Sequence, residues 1–260
     1  AFIIYVCLLG LMYVFQRGLM YHPAGGLMRP AEYGLREMHS INLKTKDGLV
    51  LTAWYKEAEI GRQTLVYFHG NAGHIGHRAE KVKPYLDAGY GLLLVSYRGF
   101  GSNPGSPTEE GLIADGEAAL GFLEVEKVPV HLTVIYGESL GTGVAIALSQ
   151  NKSLGAVILE AAFTSIADIS QHHYFYVPAR YLVKDSFWSS KKIKNVDAPF
   201  LFIHGKRDRI VPESFGRKLF DLARGPKDFL SIPAASHNNL YDFGVASKVI
   251  EFMKETIRNP

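Results

Sequence analysis

From residue 64 onward the chain alternates short, unbroken apolar runs with longer stretches of helical spacing. The runs are residues 64–69, 91–97, 131–136, 156–159, 200–204 and 229–232. They lack the polar alternation of a half-exposed strand and so predict strands buried on both faces of a parallel sheet. Between them, residues 78–88, 109–124, 141–149, 213–222 and 241–257 carry apolar side chains at helical intervals, and Thr108 supplies a helix-starting residue. Ahead of these, residues 41–43 and 49–55 alternate apolar with polar around Lys46, Asp47 and Gly48, the pattern of an antiparallel hairpin. Strand and helix in regular succession predict an α/β fold. Its sheet is doubly wound, mostly parallel and covered by helices on both faces, with binding residues beyond the carboxyl ends of the strands.

Two segments break the rhythm. Residues 163–196 are longer than a simple crossover requires and are rich in aromatics, which predicts a small cap inserted above the site. Residues 1–24 form an N-terminal hydrophobic segment: 1–15 carry no charge, Gln16 and Arg17 interrupt, and 18–21 are apolar again. A spanning helix needs about 20 apolar residues, so the stretch is marginal as it stands, and a start at Ala1 rather than Met points to more of it upstream. Tyr13, Tyr21 and Arg17 suit a membrane interface, and Arg17, Arg29 and Arg36 favour a cytoplasmic catalytic domain, although the opposite flank is missing and the orientation stays open. A signal peptide would want a basic start and a small-residue cleavage site, neither of which is evident before His22 and Pro23. A third reading is an apolar helix packed on the domain or on another subunit of a homo-oligomer. The expected division is therefore a membrane segment, 1–24, and a catalytic domain, 25–260, containing the cap.

Composition narrows the classes of function. The 260 residues are 47% hydrophobic and 20% charged, with a formal net charge of +3, which is a globular composition. The basic residues are scattered rather than gathered in a stripe, so no nucleic-acid partner is expected. A single cysteine, Cys7, excludes an internal disulfide and cysteine-based metal sites. His74 and His77 have no carboxylate or cysteine to complete a ligand set, and no metal or cofactor is expected.

The sharpest chemical signal is Gly137-Glu138-Ser139-Leu140-Gly141, a GxSxG between the run ending at Tyr136 and a predicted helix. A nucleophile elbow turns so tightly from strand to helix that its glycines avoid clashes, and it lifts the serine oxygen above the sheet. Serine is a weak nucleophile without a base, and the base needs an acid to hold its tautomer. Asp208 follows the run 200–204 and His237 follows the run 229–232, so both occupy loops after late strands in the order serine, acid, histidine. Asp197 lies before a strand and Asp221 within a helix, where neither suits the acid's place. His69 and His204 end strands and are expected to orient loops. The loop His69-Gly70-Asn71-Ala72-Gly73 is expected to supply half of an oxyanion hole through the Asn71 N–H, or the Ala72 N–H if the loop is shifted; the Leu140 N–H supplies the other half.

With those residues in view, HGNAG, YRGFGSNPGSP, GESLG, HGKRDRIVP and ASHNN together resemble the membrane-anchored α/β-hydrolase-domain serine hydrolases, over nearly the whole chain. The resemblance implies an α/β-hydrolase fold and a serine esterase or thioesterase working on small-molecule or lipid-like acyl esters. That family includes protein depalmitoylases and bacterial carboxylesterases. It also implies that the loop 97–107 borders the site, with Arg98 as a brace. Residues 172–176 depart from the family pattern, which leaves substrate choice open there. On the same three residues a peptidase or an acyltransferase remains an alternative, and a silent hydrolase-fold scaffold is a further one. The aromatics Phe163, Phe175, Tyr176, Tyr181, Phe187 and Trp188 are read either as an acyl pocket or as the cap's own core.

Overall fold

The structure, a computed structural model, describes residues 2–258; Ala1, at the head of the expected membrane segment, and Asn259 and Pro260, at the end of the expected catalytic domain, lie outside the described residues. Eight strands form the main sheet: β1 (His39–Lys44), β2 (Val50–Lys56), β3 (Thr64–Phe68), β4 (Gly91–Val95), β5 (Thr133–Glu138), β6 (Ala156–Glu160), β7 (Phe200–Gly205) and β8 (Lys227–Ile232). Across the sheet they run β8-β7-β6-β5-β3-β4-β2-β1. Only the pairs β1–β2 and β2–β4 are antiparallel. The rest are parallel, so their carboxyl ends share one edge.

Because side chains alternate along a strand, β3 feeds two cores: Val66 and Phe68 pack on one face of the sheet, Leu65 and Tyr67 on the other. Helices α2 (Ala79–Asp87) and α9 (Val245–Arg258) cover the second face through Val82, Val249 and Met253. Helices α3 (Glu109–Val125), α4 (Leu140–Ser149) and α8 (Glu213–Leu222) cover the first through Leu112, Val144 and Leu219. The expected doubly wound α/β sheet is therefore present, with boundaries that move by a few residues at strand ends.

Residues 163–196 fold as short helices, α5 (Ile166–His173), α6 (Ala179–Leu182) and α7 (Ser189–Lys192), followed by a turn at Ile193–Asn195. Their aromatics divide. Phe163 and Phe187 are buried in the main core, whereas Phe175, Tyr176 and Tyr181 are 81%, 60% and 86% exposed. At the amino end, α1 (Phe2–Met20) is one unbroken helix, long and apolar enough to cross a membrane. Gln16 and Arg17 lie within it and bond to the 163–196 segment: Gln16 Nε2 donates to the Leu182 carbonyl (3.1 Å), and Arg17 grips the buried Asp185 through two hydrogen bonds of 2.8 and 3.0 Å. Tyr21 corrects an expectation. Its side chain is buried in the main core rather than placed at an interface, because the chain turns into the domain directly after α1.

Candidate active site

β5 ends at Glu138 and α4 begins at Leu140, so a single residue, Ser139, makes the turn. Its backbone sits at φ 50°, ψ −115°, a conformation costing about 1–3 kcal/mol for a residue with a side chain. The two glycines make the turn sterically feasible. A methyl on Gly137 would stand 2.6 Å from the Gly141 carbonyl oxygen, and one on Gly141 would run into the Phe68 carbonyl of β3. Gly141→Ala is therefore expected to lower stability by about 3 kcal/mol or more, because backbone rather than a yielding side chain is in the way. Thermal denaturation checks this, and an unchanged melting temperature contradicts it.

The turn brings together the three residues singled out in the sequence. His237 Nε2 lies 3.0 Å from Ser139 Oγ, and His237 Nδ1 lies 2.6 Å from Asp208 Oδ2. Asp208 follows β7 by a short turn and His237 follows β8, and these strands are parallel, so both reach the edge where Ser139 emerges. The Asp208 carboxylate is fully buried. Its second oxygen accepts the N–H groups of Ile210 (2.9 Å) and Val211 (2.8 Å), which fixes its plane and leaves Oδ2 for the imidazole. His204 holds the same loop by donating from Nε2 to the Val211 carbonyl at 2.8 Å, and burial favours its neutral form by pushing its pKa down.

Asn71 lies in the loop after β3. Its side-chain amide donates to the Met20 carbonyl (2.8 Å) and its own carbonyl accepts from the His22 N–H (2.8 Å), tying this loop to the chain leaving α1. His22 and Pro23 run beside Ala72 and Gly73 as a two-residue parallel bridge. His69 donates from Nδ1 to the Gly70 carbonyl (2.8 Å), and burial pushes its pKa down to about 3, so it stays neutral. Leu140 opens α4, where first-turn N–H groups have no partner within the helix.

A largely buried ionic network beneath the elbow has no mark in the sequence. Arg78 donates to both oxygens of Glu138, at 3.1 Å each, and to the Ala72 carbonyl at 2.9 Å, so one guanidinium joins the residue before Ser139 to the loop after β3. Tyr67 donates its hydroxyl to Glu138 (2.7 Å), and Lys81 reaches Glu138 (3.6 Å) and Glu160 (2.8 Å). Glu160 also accepts from the Tyr136 hydroxyl at 2.7 Å, and its carbonyl accepts the Ser139 N–H at 2.8 Å. Burial opposes ionisation of Glu138, but Lys81, Arg78 and the Tyr67 hydroxyl outweigh it and hold its carboxyl below the usual range. Two acids against two bases leave the network neutral, the condition under which buried charge is tolerable. Arg98 lies elsewhere, spanning Asp115 and Asp47 at 2.7–3.1 Å, and braces the loop after β4. His74 accepts the Gly76 N–H at 3.1 Å and its ring lies against His77 at a tilt of 31°, with centroids 3.9 Å apart.

An eight-stranded, mostly parallel sheet whose central strand delivers a serine through a glycine-flanked elbow defines an α/β-hydrolase fold. The sequence profile described as alpha/beta hydrolase fold matches residues 63–188. The chain is 35% identical over 252 residues to protein bem46 of Schizosaccharomyces pombe, covering 89% of this chain and 83% of that one. It is 30% identical over 240 residues to the lysophosphatidylserine lipase ABHD12 of Danio rerio, covering 77% and 63%. A solved structure, the Pyrococcus furiosus esterase Pf2001, superposes with a TM-score of 0.74 over 92% of this chain and 99% of that one at 19% identity, a likeness of fold. The chain belongs to the α/β-hydrolase family, and its activity is that of a hydrolase.

Proposed function

We propose that the chain is a membrane-anchored serine hydrolase that cleaves carboxylic esters or thioesters through an acyl-enzyme, with Ser139 as nucleophile, His237 as base and Asp208 as the acid that orients it. The observation carrying this reading is the continuous chain of hydrogen bonds from Ser139 Oγ through the imidazole to Asp208, at 3.0 and 2.6 Å. In the first half-reaction His237 Nε2 takes the Ser139 proton as Oγ attacks the acyl carbon, and then returns it to the departing alcohol or thiol. In the second, water attacks the acyl-enzyme by the same route and Ser139 recovers its proton. The negative oxygen of each tetrahedral intermediate is held by the N–H groups of Asn71 and Leu140, the first positioned through the Met20 and His22 contacts and the second by the start of α4. Of the expected anchor, residues 1–24, α1 (Phe2–Met20) enters the membrane while Tyr21 to Ala24 pack against the catalytic domain, 25–260, in which 163–196 acts as the cap.

Acyl substrates are favoured because the cap and α1 line a largely apolar groove, and because a relative is a lipase of a lysophospholipid. The test is a series of p-nitrophenyl esters of increasing chain length, run beside the matching thioesters and anilides. Turnover of esters and thioesters with little on anilides is expected. Faster turnover of anilides would make the chain a peptidase, dominant transfer to added alcohols would make it an acyltransferase, and inertness of well-folded protein toward all of them would leave it a scaffold.

A further inference from the structure

Helix α1 is not a bare anchor, since one of its faces is taken. Leu9, Met12, Gln16 and Met20 fall at helical spacing and are half-buried, while Phe2, Ile3, Val6, Val14, Phe15 and Leu19 are exposed. The covering partner is the cap. Tyr5 donates its hydroxyl to the Tyr176 carbonyl (3.0 Å), the Lys184 amine lies 4.2 Å from the centre of the Tyr13 ring, and the Lys184 N–H donates to Gln16 Oε1 (2.7 Å). These contacts run from Tyr5 to Arg17, about 18 Å along a helix rising roughly 1.5 Å per residue. That exceeds the roughly 15 Å depth of one hydrocarbon leaflet. A helix bonded to the cap over such a length cannot enter a bilayer and leave the cap in water.

The polar contacts define the level. Arg17 with Asp185, Gln16 with the backbone at Leu182 and Lys184, and Lys184 over Tyr13 gather at one end of the contact, where headgroups and water satisfy charge. At the other end stand Tyr176 and, against its ring, Phe175; these and Tyr181, which precedes Leu182 on α6, are large aromatics left in the open although Phe163 and Phe187 of the same segment are buried. Between helix and cap runs an apolar groove of about 160 Å³, lined by Met12, Leu19, Met20, Tyr174, Val177 and Leu182 among others. One of the lining residues, Met20, has its carbonyl bonded to the side chain of Asn71, in the loop after β3.

We propose that residues 174–183 of the cap lie in the lipid alongside α1, so that the two form one lipid-facing surface and the groove between them opens to acyl chains from the bilayer. The cover for the exposed aromatics is then lipid. This rests on the reading of α1 as a membrane anchor, and the experiment separates the two. The full chain carrying Cys7→Ser, with a single bimane-labelled cysteine from Phe175→Cys or Tyr181→Cys, is reconstituted in vesicles of phosphatidylcholine and phosphatidylglycerol. Lys254→Cys on α9, across the sheet, serves as the control. Emission at Phe175 and Tyr181 is expected to shift to the blue and to be quenched several-fold more by lipids with a mid-chain doxyl group than emission at Lys254. Protein that floats with the vesicles while these probes respond to aqueous iodide and ignore the doxyl lipid overturns the proposal and leaves the anchor intact. A blue shift without doxyl quenching, as a second copy covering the patch would give, overturns it equally. Protein that does not float overturns both.

Discussion

Replacing Ser139 with alanine is expected to lower kcat on a p-nitrophenyl ester by about 10⁵- to 10⁶-fold with little change in melting temperature. The magnitude follows from what the hydroxyl does. Without Oγ no acyl-enzyme forms, and His237 and Asp208 retain their geometry but have nothing to activate. In the proposed mechanism, what remains is the stabilisation of a water attack by the Asn71 and Leu140 amides, worth about 10³–10⁴ over the uncatalysed reaction. The fold is indifferent to the change, because the elbow depends on Gly137 and Gly141, and alanine accepts the backbone of residue 139 no worse than serine. Steady-state kinetics with circular dichroism as the folding control checks this, and a kcat within tenfold of the parent contradicts it.

Asp208→Asn is expected to cost about 10⁴ in kcat while leaving the loop in place. An asparagine oxygen can still accept the N–H groups of Ile210 and Val211, so the loop keeps its two anchors. Toward His237 the change is a reversal: an NH₂ group replaces an acceptor 2.6 Å from Nδ1, which favours the tautomer with its proton on Nε2. That nitrogen then faces Ser139 as a donor and cannot take its proton. Combined with Ser139→Ala, the substitution should cost little more than Ser139→Ala alone, since the three side chains act as one unit. Loss of less than tenfold would move the acid elsewhere, and Asp197 or Asp221 would have to be reconsidered.

The sheet was legible because β3 to β7 are nearly continuous apolar runs, and burial on both faces requires that composition. The candidate triad was legible for a related reason: the fold places each member directly after a strand, and strand ends can be read along the chain. The network under Ser139 was not. Arg78 and Glu138 are sixty residues apart, and Lys81 and Glu160 seventy-nine, so nothing local marks them as partners. In the sequence Glu138 is simply a variable position inside GxSxG. Gln16 and Arg17 looked like an interruption of an apolar helix, since Asp185, which explains Arg17, is 168 residues away. The cap's aromatics defeated the reading for another reason. Its helices are too short to show a periodicity, so buried Phe187 and exposed Phe175 have the same appearance in the sequence. Only three-dimensional packing separates the core residue from one that needs another cover.

The most direct test of the central claim is the site of covalent capture by a fluorophosphonate, read by mass spectrometry of the digested protein. One phosphonyl adduct is expected, on Ser139, absent in Ser139→Ala and formed far more slowly in His237→Ala. An adduct on any other residue of the native enzyme, or labelling that persists in folded Ser139→Ala, contradicts it.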